Sequence, residues 1–174
     1  LIARPWDQGR AALLYKDNAR KMVLQMKHGD RTDLARPAAA WLHRAARPLL
    51  VPDMLLAPVP LHWFRLVKRR YNQAALLSAG LAGLAGLAHC PDLLTRPRST
   101  GSQEGRDRES RFANMADAMC VHPKRVGHLK KRHILLIDDV MTSGATLGAA
   151  ADACIAAGAA RVSVLVLARV AKDA

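Results

Sequence analysis

The sequence predicts an α/β fold with a mainly parallel central sheet flanked by helices. Short apolar runs alternate with helical segments along the chain, which is the pattern of strands joined by helical crossovers. The last run, RVSVLVLARV at 161–170, is apolar on both faces, as a central strand of a parallel sheet must be. The chain has 174 residues, the length of one domain, so we expect a single domain over residues 1–174.

The first fifty residues predict two helices. In YKDNARKMVLQMKHGD, Asp17 suits the start of a helix and Gly29 suits its end. The next helix covers roughly residues 33–47 and ends before Pro48.

The middle of the chain predicts a buried strand and then a glycine-containing helix. The strand is MLLAPVP at 54–60, a short apolar run bounded by prolines. In the later segment QAALLSAGLAGLAGLAHC, Gly80, Gly83 and Gly86 recur every three residues. This spacing does not match a GxGxxG nucleotide-binding loop, and we interpret it as a helix whose small-residue face packs closely.

The second half of the chain predicts three more strands before the last one. Two of them, at 92–99 and 118–122, enclose the polar segment TGSQEGRDRESR, whose composition is typical of a mobile loop. The third is HILLIDD at 133–139. The helix after it is expected to begin near Thr142 or Ser143 and to end at Gly158.

The charge balance of the chain is strongly basic. Lys and Arg total 27 against 14 Asp and Glu, a formal net charge of +13. Such an excess indicates a phosphate-bearing partner, either nucleic acid or a polyanionic metabolite, or else a generally basic surface without such a partner.

Cysteine and apolar patterns exclude some classes of protein. The three cysteines are far apart and the histidines lack metal-ligand spacing, so neither a zinc site nor a disulfide framework is predicted. No signal peptide is visible, and no apolar run approaches the roughly 20 residues of a membrane span. We therefore expect a cytoplasmic protein without a membrane span.

The richest functional signal is ILLIDDVMTSGATLGAA at 134–150. A parallel strand presents its carboxyl end at the ligand side of the sheet, so Asp138 and Asp139 are predicted to lie there. The loop after them opens a helix, whose free N–H groups bind phosphate well. Gly144 allows the backbone to approach the phosphate closely, and the hydroxyls of Thr142, Ser143 and Thr146 add hydrogen-bond donors. The predicted phosphate-binding residues are Met141, Thr142, Ser143, Gly144, Ala145 and Thr146.

The two carboxylates would repel a phosphate, so they must serve a neighbouring group. A ribose can donate hydroxyls to them, and a divalent cation can bridge them to that sugar. A phosphate on one side and a diol on the other describe a ribose 5-phosphate. A Walker B strand would need a GK[ST] partner, and a phospho-acceptor domain would need further acids; neither pattern occurs. A helix-capping acidic pair without a ligand is the remaining alternative.

The apolar strand, two acids and T-[ST]-G-x-T loop resemble the phosphoribosyl diphosphate (PRPP) motif of type I phosphoribosyltransferases. Further features are similar to the ComF-like (competence protein F) branch: a Lys-Gly helix end, PVP followed by R-x-Y-N-Q, a T-x-x-Q loop and R-x-x-N. The resemblance covers roughly residues 13–170, although Met119 stands where the family usually has an aromatic residue. The family usually carries a zinc ribbon before this domain; this sequence shows none, and we expect no zinc in this chain.

The resemblance implies a type I phosphoribosyltransferase fold, with a small N-terminal hood at 1–50 and a PRPP-binding core at 54–170. The implied reaction displaces pyrophosphate from PRPP by an acceptor, usually a nitrogen, with Mg²⁺ as cofactor, as in nucleoside metabolism. Asp138 and Asp139 would be catalytic and would meet the metal indirectly, through ribose or water. The sequence does not identify the acceptor.

Two basic segments are further candidates for the diphosphate end of PRPP. Clustered cations after strand 54–60 suit pyrophosphate, or form a solvated basic turn. The resemblance implies that this segment is the pyrophosphate loop, with Pro60, Leu61, Lys68, Arg69 and Arg70. It also implies that the later polar segment is a flexible lid over PRPP, with Arg98, Gln103, Arg106 and Arg108; a solvated surface loop is the alternative.

Two other functions stay open. ComF-like proteins are associated with DNA uptake, so the chain would be a non-catalytic accessory that meets DNA or the DNA-uptake machinery, which its charge fits. Alternatively it senses PRPP without turnover. A homodimer is a further expectation. Asn72, in the R-x-Y-N-Q stretch, either belongs to the site or simply caps the next helix.

Overall fold

A five-stranded parallel sheet forms the centre of the protein, whose computed structural model describes residues 4–28, 31–61, 71–96 and 119–171. In chain order, its strands are β1 (Gln8–Leu14), β2 (Leu55–Pro58), β3 (Ala88–His89), β6 (His133–Met141) and β7 (Arg161–Arg169). Across the sheet the order is β1-β7-β6-β2-β3. The two remaining strands, β4 (Leu94–Thr95) and β5 (Cys120–Val121), form a separate antiparallel pair.

Helices cover both faces of this sheet. They are α1 (Asp17–His28), α2 (Ala35–Ala46), α3 (Gln73–Ala85), α4 (Val126–Leu129) and α5 (Ala145–Ala156), with 3₁₀ turns at Thr32–Leu34 and Pro123–Arg125. Alternate residues of β6 enter two separate apolar cores. Leu135 and Ile137 pack with α1, α2 and α3, whereas Ile134 and Leu136 pack with α4 and α5. The predicted fold class is therefore confirmed.

The central position predicted for the last strand is also confirmed. Strand β7 lies between β1 and β6, and every residue from Val162 to Ala168 is buried. Strand β1 was not predicted. It is one of the two edge strands, its residues are exposed or only partly buried, and its pairing partner is at the far end of the chain. A local sequence pattern carries little trace of such a strand.

The N-terminal region contributes to the sheet as well as to its covering. Strand β1 pairs with β7, and helices α1 and α2 cover one face of the sheet. The hood boundary at 1–50 and the core boundary at 54–170 stay predictions. Among the described residues, the longest helices fall short of the length and apolarity that crossing a bilayer requires.

Of the three glycines predicted to form a closely packed small-residue face, only Gly80 makes such a contact. A Cβ atom on Gly80 would lie 2.7 Å from the Cβ atom of Ala39, so α3 approaches α2 at this glycine. Gly83 has no atom within 4 Å of such a position. Gly86 ends the helix with a φ of 65°.

Two glycine-to-alanine substitutions in α3 are expected to have opposite effects. Gly80→Ala should lower the free energy of unfolding by about 1–3 kcal/mol, because its methyl group forces α2 and α3 apart. Gly83→Ala should raise it by about 0.5–1 kcal/mol, because alanine favours the helix and meets nothing. Urea unfolding of both variants measures the difference. Equal effects of the two substitutions would contradict the close approach of the helices.

Candidate functional site

Strand β6 carries the two aspartates to the carboxyl edge of the sheet. Ile137 pairs with Pro58 at the end of β2, and its carbonyl accepts a hydrogen bond of 2.9 Å from the Val59 N–H. The strand was predicted to end at 139 but continues to Met141, because Val140 and Met141 remain paired with β7. Asp138 therefore lies between the loop after β2 and the loop after β6.

The loop from Met141 to Thr146 folds around a small hollow of about 30 Å³, lined also by Asp138, Val140 and Leu147. The six residues predicted to bind phosphate thus lie together at the start of α5. Helix α5 begins at Ala145 and not at Thr142 or Ser143 as predicted. The reason is Gly144, whose φ of 82° lies in the left-handed region and interrupts the helical geometry before α5.

Asp138 is poorly stabilised as an anion by the protein alone. Burial raises its pKa to about 7, and the negative charge of Asp139 acts in the same direction. The Asp139 N–H, which donates a hydrogen bond of 2.8 Å to Asp138 Oδ1, opposes the shift, as do the charges of Lys27 and Arg96. A buried carboxylate with a raised pKa is stabilised as an anion when a cation or a hydroxyl donor binds to it.

The raised pKa of Asp138 predicts a pH-dependent stability. The folded state holds the proton more tightly than the unfolded chain, so ionisation destabilises the fold as pH rises from about 4 to about 7. Asp138→Asn should therefore raise the free energy of unfolding at pH 8 by on the order of a few kcal/mol, and have little effect at pH 4.

Thermal unfolding with a chelator at both pH values measures this effect. Asp152→Asn is the matched control, because it removes an exposed carboxylate from α5. The prediction is contradicted if both variants gain equal stability at pH 8, or if the stability gained by Asp138→Asn does not depend on pH. Either result would show that ionisation of Asp138 does not destabilise the folded protein.

Lys27 is a site residue that sequence reasoning did not single out. It lies in the last turn of α1, and its Nζ atom is 3.1 Å from Asp139 Oδ2. The side chain of Asp139 is 14% exposed, so this ion pair is shielded from solvent. The available signal was the Lys-Gly helix end, which the sequence analysis used only as a mark of resemblance.

The Tyr71-Asn72-Gln73 stretch holds three pieces of the site together. Tyr71 Oη and Gln73 Nε2 both donate to the carbonyl of Met26, at 2.7 and 3.3 Å, and thereby fix the end of α1 beside Lys27. Asn72 Oδ1 accepts from the Ala74 N–H at 3.0 Å, and its Nδ2 donates to the Val59 carbonyl at 3.1 Å. The interpretation of Asn72 as a helix cap is thus confirmed.

The predicted diphosphate residues are only partly described. Pro60 and Leu61 follow β2 at the same edge of the sheet as Asp138 and are partly buried. The remaining predicted residues lie outside the described part of the chain, and their roles stay predictions: Lys68, Arg69, Arg70, Arg98, Gln103, Arg106 and Arg108.

At the carboxyl edge of the sheet, the described residues offer a metal ion the carboxylates of Asp138 and Asp139. Within residues 4–28, 31–61, 71–96 and 119–171, no three His, Cys, Asp or Glu side chains come together as a metal cluster. A pair of carboxylates suits Mg²⁺, which proteins commonly hold through one or two carboxylates while substrate phosphates and water complete its shell. The residues present therefore fit a Mg²⁺ ion brought in with a phosphorylated ligand.

Known proteins with similar sequences come from two named groups. The chain is 28% identical to Competence protein F of Haemophilus influenzae over 148 residues, which cover 82% of this chain and 64% of that protein. It is 30% identical to DNA utilization protein YhgH of Salmonella typhimurium over 171 residues, which cover 95% of this chain and 73% of that protein. The chain thus spans less than two thirds of the Haemophilus protein.

Family and fold comparisons agree on the architecture. Residues 94–174 match the family described as the phosphoribosyl transferase domain. Among solved structures, the glutamine PRPP amidotransferase of B. subtilis superposes with a TM-score of 0.52 at 14% identity, over 76% of this chain and 25% of that one. An allosteric regulatory enzyme of purine biosynthesis has the same TM-score at 17% identity and the same coverage. At these identities the two structures support the fold alone.

Proposed function

Because the chain belongs to the ComF-like branch of the type I phosphoribosyltransferase superfamily, we propose that it binds PRPP with Mg²⁺ and transfers the phosphoribosyl group to an acceptor. Pyrophosphate would be released. The observation that carries the proposal is the position of Asp138, which lines the hollow of the Met141–Thr146 loop and is followed by Asp139 in the same strand. An anion site and a diol site would adjoin there, as a ribose 5-phosphate requires.

The loop is suited to the 5-phosphate. Helix α5 presents backbone N–H groups at its first turn, of which the Ala145 N–H donates to Ser143 Oγ at 3.3 Å, and its dipole favours an anion. Gly144 is buried with a left-handed φ, and a Cβ atom there would lie 2.7 Å from Arg4 Nη1, so this position of the loop is suited to glycine. The exposed side chains of Thr142 and Ser143 offer hydroxyl donors at the rim.

The aspartates are suited to the ribose. Its hydroxyls would donate to Asp138, whose carboxylate lacks sufficient donors in the protein, as the raised pKa indicates. Asp139 would be held in orientation by Lys27. When bound, Mg²⁺ would neutralise charge on the diphosphate.

The proposed reaction is a substitution at C1 of the ribose. A lone pair on the acceptor, usually on nitrogen, forms the new bond to C1, and the C1–O bond electrons leave with pyrophosphate. Lys68, Arg69 and Arg70 are proposed to receive the pyrophosphate. The segment with Arg98, Gln103, Arg106 and Arg108 is proposed to exclude water from the reacting centre. Catalysis would come mainly from positioning and charge neutralisation.

A direct test of turnover is pyrophosphate release from PRPP in the presence of Mg²⁺ and a panel of nucleobases and amines. The proposal expects release that depends on one acceptor class and is lost when Asp138 and Asp139 are both changed to Asn. PRPP binding without release under any acceptor would leave a PRPP-sensing regulator as the better description. Absence of PRPP binding would refute both.

A second candidate is a non-catalytic accessory of DNA uptake, acting in the cytoplasm as a homodimer. Two observations favour it: the relatives are named Competence protein F and DNA utilization protein, and the net charge is +13. This function expects DNA binding that weakens with salt and is indifferent to PRPP. DNA binding that disappears in the double Asn variant would argue against an accessory independent of the PRPP site.

A further inference from the structure

The segment before β1 is fixed against the sheet close to the phosphate loop. The Asp7 N–H donates to the Val162 carbonyl at 2.8 Å, and the Val162 N–H donates to Asp7 Oδ2 at 3.1 Å. Trp6 is partly buried and packs on the core beneath α5. Residues 4–7 therefore have a defined position beside the start of that helix.

From this anchored segment, Arg4 reaches the phosphate loop. A Cβ atom on Gly144 would lie 2.7 Å from Arg4 Nη1 and 3.3 Å from Trp6 Cη2. The Arg4 guanidinium lies over the Trp6 ring, with Cζ 5.3 Å from the ring centroid, a cation–π arrangement that holds it in place. Arg4 lines a cleft of about 240 Å³ together with Trp6, Gly9 and Met141 among others, and this cleft adjoins the phosphate loop at Met141.

The charge of Arg4 is unfavourable at this position in the free protein. The N-terminus of a helix carries partial positive charge, so a cation beside Gly144 and the first turn of α5 is repelled. None of the ion pairs formed among the described residues includes Arg4. An anion bound in the loop would attract both the Arg4 guanidinium and the N-terminus of α5, and would thus offset this repulsion.

We propose that Arg4 is a further binding residue of the phosphate loop, which donates charge-assisted hydrogen bonds to the terminal phosphate of a sugar phosphate. The proposal rests on the proposed function, because it names a residue for the same 5-phosphate. Arg4 adds a full positive charge to a site otherwise built from backbone N–H groups and hydroxyls. Trp6 positions the guanidinium and makes no contact with the ligand.

The experiment measures the affinities of Arg4→Gln and Arg4→Lys for ribose 5-phosphate and, separately, for pyrophosphate by calorimetry. Arg44→Gln is the matched control, because it removes the same charge from an exposed position on α2. Arg4→Gln should weaken ribose 5-phosphate binding about 10-fold or more. Arg4→Lys should recover part of that loss. Pyrophosphate binding, and both affinities of Arg44→Gln, should match the parent.

The proposal is overturned if Arg4→Gln binds ribose 5-phosphate as tightly as the parent. An equal loss of ribose 5-phosphate and pyrophosphate binding would also overturn it, since it would indicate a general structural effect. If Gly144→Val loses ribose 5-phosphate while Arg4→Gln does not, the proposed function stands and only the role of Arg4 fails. If the parent binds neither PRPP nor ribose 5-phosphate, both fail.

Discussion

Gly144→Val is expected to abolish binding of ribose 5-phosphate and inorganic phosphate, with a loss of at least about 100-fold, or ~2.7 kcal/mol. The φ of 82° at this glycine is strained for any side chain and most of all for a β-branched one. A Cβ atom would also meet Arg4 and Trp6 at 2.7 and 3.3 Å. The loop must therefore shift, and its backbone N–H groups would no longer point together towards the phosphate. Calorimetry with both ligands measures the loss.

The control for this substitution is Gly148→Ala, one turn further along α5. A Cβ atom there meets only Pro5, at an ordinary 3.8 Å, so binding should be retained. Thermal unfolding of Gly144→Val, together with retained pyrophosphate binding, separates loss of the site from loss of the fold. A folded Gly144→Val protein that binds ribose 5-phosphate like the parent would show that this loop is not the phosphate site.

Changing both Asp138 and Asp139 to Asn is expected to weaken PRPP binding but not the binding of inorganic phosphate. The loop backbone is untouched, so inorganic phosphate should still bind. PRPP should bind at least about 100-fold more weakly. Amide oxygens accept hydrogen bonds from ribose hydroxyls less strongly than carboxylates do, and they carry no negative charge to attract Mg²⁺. The asparagine at 138 should stabilise the free protein at pH 8, but the asparagine at 139 removes the partner of Lys27, so thermal unfolding of the double variant separates weaker binding from unfolding.

Calorimetry with PRPP and with inorganic phosphate, each with and without Mg²⁺, measures this selectivity. Asp152→Asn again serves as the control for an exposed carboxylate on α5. If the affinities for phosphate and for PRPP fall together, the aspartates maintain the conformation of the loop and do not bind the ribose. PRPP affinity equal to that of the parent under both conditions would make the two aspartates structural.

The core of the candidate site could be predicted because it is contiguous in sequence. Strand, acids, loop and helix follow one another from Ile134 to Ala156, so a short pattern fixes their order. Its errors are local and have a physical cause. The backbone freedom of Gly144 was recognised, but not that a left-handed conformation there delays the helix until Ala145.

The parts that could not be predicted depend on contacts between distant segments. Lys27 meets Asp139 only because Tyr71 and Gln73 fix the end of α1 at the carboxyl edge of the sheet. Strand β1 gains its structure from pairing with β7, and Arg4 reaches Gly144 only through that pairing. No spacing rule within a segment encodes such contacts, although the R-x-Y-N-Q stretch marked one of them.

The most direct test of the central claim is a calorimetric titration of PRPP into the parent protein, with and without Mg²⁺, followed by competition with ribose 5-phosphate. We predict saturable binding at one site, stronger with Mg²⁺, and displaced by ribose 5-phosphate. Absence of PRPP binding, or PRPP binding that ribose 5-phosphate does not displace, would contradict the claim that Asp138–Thr146 is a ribose 5-phosphate site.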